Sequence, residues 1–262
     1  MRKSLHPFVL VMGTGVFLFL LAPLVIILGA AFSDTTYLTF PPQGLSLRWF
    51  ENVLAKQSFI EAFKTSLIVA TFGTTFALIV GVPVAYALAR YRSGLPSWYG
   101  SIFFLPVLVP EIVFGFALLK TVIVALELPV MTALLVGHTI LAIPYAVRVV
   151  GASLAAFDFS AEEAAKSLGC PPVKSFFVVI LPNIASGIVA AFILAFITSL
   201  NDVSISLFLT GPGVSTLPIE LFTYVEQYFD PSVAAVSVLL MVLTVAVMVI
   251  VERSLGLSAV MR

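Results

Sequence analysis

The chain has 262 residues, 61% of them hydrophobic and 10% charged, and its 13 basic and 13 acidic side chains leave no net charge. A soluble domain holds about 45–50% apolar and about 25% charged residues, so the apolar excess cannot be hidden in one core and must face lipid. Zero net charge with no basic run beyond two residues gives no sign of a nucleic-acid partner, and the single cysteine, Cys170, leaves no intrachain disulfide and no thiolate metal cluster.

A membrane-spanning helix needs about 20 mostly apolar residues. The first such segment covers 8–32. Arg2 and Lys3 precede it as in a signal peptide, and Gly29-Ala30-Ala31 resembles a cleavage site. Its apolar run is nonetheless much longer than the roughly 7–15 residues of a signal-peptide core, so a retained helix is expected. Residues 33–64 begin with Ser33, Asp34, Pro41, Pro42 and Gly44 and continue as Leu47-Arg48-Trp49-Phe50, which predicts an interfacial helix or lid.

The second span is 65–89 and the third 99–120. Pro106 and Pro110 interrupt the third, which frees backbone carbonyls as tolerated where a cavity is lined. Glu111 follows directly, and ionisable groups at membrane depth are usually functional. It reads either as a cation-pathway carboxylate or as an interfacial acid reaching water or a basic neighbour. The fourth span, 131–151, contains His138 near Pro144 and Tyr145. A lone histidine there reads first as a hydrogen-bonded packing residue and second as a ligand.

A polar island separates the fourth span from the fifth. Ser160-Ala161-Glu162-Glu163 reads as a capping box, with Ser160 accepting from the Glu163 amide and Glu163 reaching back. Gly169 suits the left-handed position after a helix, and Pro171-Pro172 forbid continuation. The two-turn helix carries Ala161, Ala164, Ala165 and Leu168 on one stripe. Glu162 and Lys166, four apart, are expected to pair on its solvent side. A helix this short needs a surface to dock on. That surface is either its own bundle or a partner's groove.

The fifth span, 174–199, contains Pro182, and its first part is expected near the interface. Asn201 and Asp202 end it, either as pathway groups or as an ordinary helix end. Residues 201–232 hold a turn at Gly211-Pro212-Gly213, a helix start at Pro218 and a stop at Asp230-Pro231. The sixth span is 233–251. Basic residues set the topology. With both termini cytoplasmic, Arg2, Lys3, Arg90, Arg92, Arg148, Lys166, Lys174, Arg253 and Arg262 all fall inside. Arg148, Lys174 and Arg90-Tyr91-Arg92 are expected to anchor the inner interface.

Glu163-Ala164-Ala165, Gly169 six residues after Glu163, and Leu181-Pro182 are similar to the EAA signature of binding-protein-dependent ABC importer permeases, with Val179 at the signature's isoleucine position. The resemblance covers nearly the whole chain. It implies an all-α, polytopic protein with six transmembrane helices in the type I ABC importer (MetI-like) permease fold, one permease domain over 1–262. It also implies a coupling helix at about 160–170, formed by Ser160, Glu163, Ala164, Ala165, Leu168 and Gly169, that docks into a cytoplasmic ATPase. The implied partners are a dimeric ATPase, a second homologous permease subunit and an extracytoplasmic solute-binding protein, in a bacterial inner membrane.

No phosphate-binding loop occurs, so ATP and magnesium belong to the ATPase and this subunit is expected to be non-catalytic, without cofactor or metal of its own. No nucleophile elbow or zinc motif supports an intramembrane enzyme. A self-contained channel or secondary transporter would leave the island's signature unexplained. Pro110-Glu111-Ile112-Val113 and the segment from Asn201 to Pro212 resemble the spermidine/putrescine branch, which implies a small cationic or amine-bearing solute met by Glu111, Asn201, Asp202 and Trp49. That branch carries paired aspartates where this chain has Asn201-Asp202, which leaves amino acids and other small organic solutes open. Trp49 reads first as an interface anchor and second as a solute contact.

Overall fold

The structure, a computed structural model, describes residues 7–91, 94, 96, 98–228 and 230–254. Of the residues on which the expected topology rests, Arg2, Lys3, Arg92 and Arg262 lie outside this set, as does the side chain of Arg253.

The described chain is helical. Helix α1 (Pro7–Ala31) is followed by α2 (Arg48–Ala55) and α3 (Gln57–Arg90). Helix α3 starts before the expected 65 because Phe59 and Ala62 are buried while Glu61 and Lys64 are exposed. That amphipathic turn is too polar to register as a span. The third expected span is not one helix. It runs as α4 (Trp98–Ile102), α5 (Leu105–Leu108), α6 (Glu111–Leu118) and a π-helical stretch, Leu119–Ala125. Val109 is extended before Pro110 (φ −83°, ψ 129°), as the proline ring requires of the preceding residue.

Helix α7 (Val130–Ala155) leads to the island helix α8 (Ser160–Ser167). Then come α9 (Pro172–Ser175), a second π-helical stretch (Phe176–Ile180), α10 (Leu181–Asn183) and α11 (Ala185–Leu200). Pro172–Asn183 and Ala185–Leu200 meet at 72°, so the fifth expected span is bent just beyond Pro182. A 3-10 turn (Ser206–Phe208), α12 (Leu217–Gln227) and α13 (Ser232–Ser254) complete the chain. Gly211 and Val214 bridge across the expected turn. Among the described residues, α1, α3, α7 and α13 are long and apolar enough to cross a membrane unbroken, and the bent pair makes a fifth only if its two arms form one span.

The chain packs as two compact units. One holds the residues up to Ile60 with Glu220–Val245, the other Glu61–Ile219 with the residues from Ala246. In the first, Ala30, Ala31, Ala234 and Val238 form the core, and Asn52 Nδ2 donates to Ser232 Oγ at 2.9 Å. Lys56 Nζ donates to Tyr224 Oη at 2.8 Å and lies 4.1 Å from that ring's centroid.

In the second unit, α7 is central. Val69, Leu134, Ile205 and Leu209 fill one end of its packing, and Val82, Val150, Leu154 and Ile180 fill the other. Small residues let backbones approach, as is common between helices in lipid. A Cβ on Gly81 would lie 2.7 Å from Ala146 Cβ, and one on Gly187 would lie 2.6 Å from Ser153 Cβ.

Candidate functional site

Helix α8 begins differently from the capping box. Phe159 is already helical (φ −65°, ψ −9°), so Ser160 sits in the first turn, where its hydroxyl no longer reaches the free amides. Asp158 does the capping instead. It accepts from Ser160 N at 2.9 Å and from Ser160 Oγ at 2.7 Å, and these two bonds hold its carboxyl below the usual aspartate range.

The end of α8 is as the residues dictate. Gly169 has φ +85°, Cys170 N donates to Ala165 O at 3.0 Å and Gly169 N to Lys166 O at 2.9 Å. That pair of bonds is a Schellman stop. Pro172 then opens α9.

The orientation of α8 reverses the expected one. Glu162 is fully buried and accepts from Tyr86 Oη at 2.7 Å, Arg90 Nε at 3.1 Å and Lys166 Nζ at 2.5 Å. The Glu162–Lys166 pair therefore forms, but against the bundle rather than on the solvent side. The cause is Tyr86 and Arg90, one turn apart at the end of α3, which offer the carboxylate donors that water would otherwise supply. Arg90 Nη2 also bonds Glu163. Glu163 is 60% exposed, so solvent screens that pair, and Glu162 is the anchor. Arg90 thus holds α8, in addition to any role at the interface.

With the acid inward, the stripe faces out. Leu168 is 90% exposed, Ala161 and Ala164 are exposed, and Ala165 is half-buried. The island does not lie on its own bundle through this stripe. Sequence reasoning missed the Tyr86–Arg90–Glu162 cluster. Its one local hint is the i, i+4 spacing of Tyr86 and Arg90.

Burial alone would raise the Glu162 carboxyl, but the hydrogen bonds from Lys166 and Tyr86 and the charges of Lys166 and Arg90 outweigh it and leave the group below the ordinary glutamate value. A depressed carboxylate contributes stability that is present above its unfolded value, about 4.3, and is lost as pH falls through the lower folded value. Protection of the α8 amides against hydrogen exchange, relative to the intrinsic rate at each pH, will accordingly persist at neutral pH and fall only below that unfolded value. Protection already lost at neutral pH would contradict the anchor.

The expected pathway residues fall into two groups. Glu111, Asn201 and Asp202 line one open cleft of about 410 Å³ with Thr198, Val203 and Ser204. Glu111 heads α6, is exposed, and has no hydrogen-bond or ionic partner among the described residues. Asn201 Nδ2 donates to Ile197 O at 2.9 Å. Asp202 is buried at the cleft wall and accepts from Ser206 N and Ser206 Oγ, both at 2.9 Å. His138 lies behind it, with Nδ1 2.7 Å from Ser199 Oγ and Nε2 3.0 Å from Ser206 Oγ.

Trp49 belongs to the other unit. It is buried, its Nε1 donates to Ser33 O at 3.0 Å, and the Arg48 guanidinium carbon lies 4.5 Å from its ring centroid. The cation on that ring face is therefore the chain's own. A larger hollow of about 700 Å³ lies beside α8, walled by Ala85, Leu88, Leu154 and Phe159. Arg148 is its ionisable lining residue among those described, and its charge makes this hollow unsuited to a cation.

A family model described as "binding-protein-dependent transport system inner membrane component" matches residues 73–255. The spermidine/putrescine transport system permease protein PotC of Escherichia coli (strain K12) is 30% identical over 241 residues, covering 92% of this chain and 90% of that protein. The putrescine transport system permease protein PotI of the same strain is 31% identical over 232 residues, covering 86% and 82%. A solved bacterial ABC transporter involved in the import of the acidic polysaccharide alginate aligns with a TM-score of 0.71 at 17% identity, over 96% of this chain and 99% of that one. At that identity the likeness is one of fold, a type I importer permease. With about 70% of its length inside the family match, the chain belongs to the inner membrane components of binding-protein-dependent transport systems.

Proposed function

We propose that this chain is one membrane subunit of an ATP-driven importer for a small amine-bearing cation, with α8 as the element that receives movement from a cytoplasmic ATPase. One observation carries the reading: α8 turns its charged side inward onto Tyr86 and Arg90 and its apolar side outward. A short helix anchored by a buried acid and offering alanines and Leu168 to the outside is half of a protein–protein contact.

In this reading Ser160, Glu163, Ala164, Ala165, Leu168 and Gly169 line or shape the docking surface, and ATP and magnesium are held by the ATPase. A second permease subunit completes the pathway, and a solute-binding protein delivers to its outer mouth. The chain crosses a bacterial inner membrane several times with both termini in the cytoplasm. The amine is supported by the relatives' polyamine names and by Glu111, whose carboxylate, unpartnered among the described residues, lines a cleft together with Asn201 and Asp202. An amino acid or other small solute is the alternative cargo.

Leu168→Asp tests the docking. A protruding apolar side chain is the kind of residue that dominates a small contact, so we expect ATPase affinity in detergent to fall roughly tenfold, or about 1.4 kcal/mol. Unchanged affinity would defeat the reading.

A further inference from the structure

Resting on the importer reading, we propose that His138 is a positioning residue for the solute cleft, acting through Ser206 to hold the Asp202 carboxylate in place. The argument is one of hydrogen-bond direction. Ser206 has a single hydroxyl proton, and it is given to Asp202 Oδ2 at 2.9 Å. The Ser206 oxygen must then accept from His138 Nε2, 3.0 Å away. A neutral imidazole has one donor and one acceptor nitrogen, so Nδ1 accepts the Ser199 hydroxyl at 2.7 Å. The network thereby assigns the tautomer. Ser199, His138 and Ser206 all donate in one direction, and the direction ends at Asp202.

The consequence is local. Asp202 Oδ2 takes the Ser206 amide as well, at 2.9 Å, and lies 3.7 Å from His138 Nε2, while Ile205 N reaches Oδ1 at 3.4 Å. A carboxylate out of water is costly unless its lone pairs are filled, and here donors from behind fill them without a full counter-charge. Among the described residues, no lysine or arginine pairs with it. Its negative charge is therefore left to act on the cleft that Asp202 shares with Glu111 and Asn201. The three groups come from the middle of α7, the end of α11 and the 3-10 turn, so the chain also fixes the cleft wall against α7.

The test is uptake kinetics in proteoliposomes with the complete transporter, using radiolabelled putrescine and spermidine as probes. His138→Leu removes donor and acceptor, Ser206→Ala removes only the relay hydroxyl, and His138→Gln restores one of each. We expect His138→Leu and Ser206→Ala to raise the apparent KM about tenfold with the maximal rate within about twofold, and His138→Gln to stay within about threefold of the parent. Asp202→Asn should hide any further effect of Ser206→Ala, since both act through one carboxylate. If His138→Leu does not assemble, Ser206→Ala alone decides. A parental KM for Ser206→Ala, or a loss confined to the maximal rate, overturns the positioning role. Failure of the parent itself to import either probe would instead count against the amine reading.

Discussion

A Glu162→Ala transporter will still assemble with its ATPase but will import solute at least about a hundredfold more slowly, because breaking a buried ion pair from one side costs about 3–5 kcal/mol and each 1.4 kcal/mol is a factor of ten. The lost carboxylate leaves three donors, Tyr86 Oη, Arg90 Nε and Lys166 Nζ, without their acceptor. Arg90 and Lys166 are only 26% and 27% exposed, so water cannot fully replace what is removed. Helix α8 then has no fixed seat on α3, and ATPase motion moves α8 without moving the span.

The measurement is solute uptake and ATP hydrolysis in the same vesicles. Hydrolysis should persist while uptake falls, so the ratio of ATP consumed to solute imported rises steeply. A second variant separates anchoring from charge. Replacing a buried pair by apolar residues of similar volume is often neutral, so Arg90→Met with Glu162→Leu should recover about tenfold of the loss. Parental uptake by Glu162→Ala would remove the anchor from the mechanism.

Gly169→Val will impair coupling about thirtyfold while leaving membrane insertion intact. The cost is conformational alone. A Cβ at this position meets nothing within 4 Å, but φ is +85°, a region where a β-branched residue is a true outlier and strain of about 1–3 kcal/mol is usual. The valine variant relieves that strain by unwinding the Schellman stop, which shifts Leu168 and the last turn of α8. Asparagine tolerates the left-handed region, so Gly169→Asn should retain most uptake. Equal uptake by the valine and asparagine variants, with equal protein in the membrane fraction, would show that the stop has no part in coupling.

Much of this architecture is legible in the residue order because the bilayer imposes it. Runs of apolar residues announce α1, α3, α7 and α13, and Pro106 and Pro110 announce the breaks before and after α5. The end of α8 is legible too, since Gly169 and Pro171-Pro172 act within one turn of each other. What cannot be read is which side of α8 faces in. The i, i+4 pairing of Glu162 and Lys166 is visible, but it looks the same on either face. The decision lies with Tyr86 and Arg90, 76 and 72 residues from Glu162.

The start of α8 misleads for a local reason. Asp158, placed before the apparent box, offers a charged acceptor, and Glu163 is drawn to Arg90. The His138 chain is likewise a matter of long separation, 61 residues to Ser199 and 68 to Ser206. The resemblance grouped Glu111, Asn201, Asp202 and Trp49 along one pathway, and folding keeps the first three at one cleft while Trp49 packs in the other unit.

The near-touching contacts at Gly81 with Ala146 and at Gly187 with Ser153 limit how this subunit can change shape. Surfaces that close interlock like teeth, and neither α3 nor α11 can slide along α7 without one side chain climbing over another. Those contacts resist shear. Deformation concentrates where the i→i−4 ladder is already irregular: the π-helical stretches Leu119–Ala125 and Phe176–Ile180, and the 72° bend before Ala185. Such irregular turns often serve as hinges. Pairs of spectroscopic labels set across α3 and α7 should therefore keep their spacing through a transport cycle, while pairs set across either π-helical stretch should report the motion.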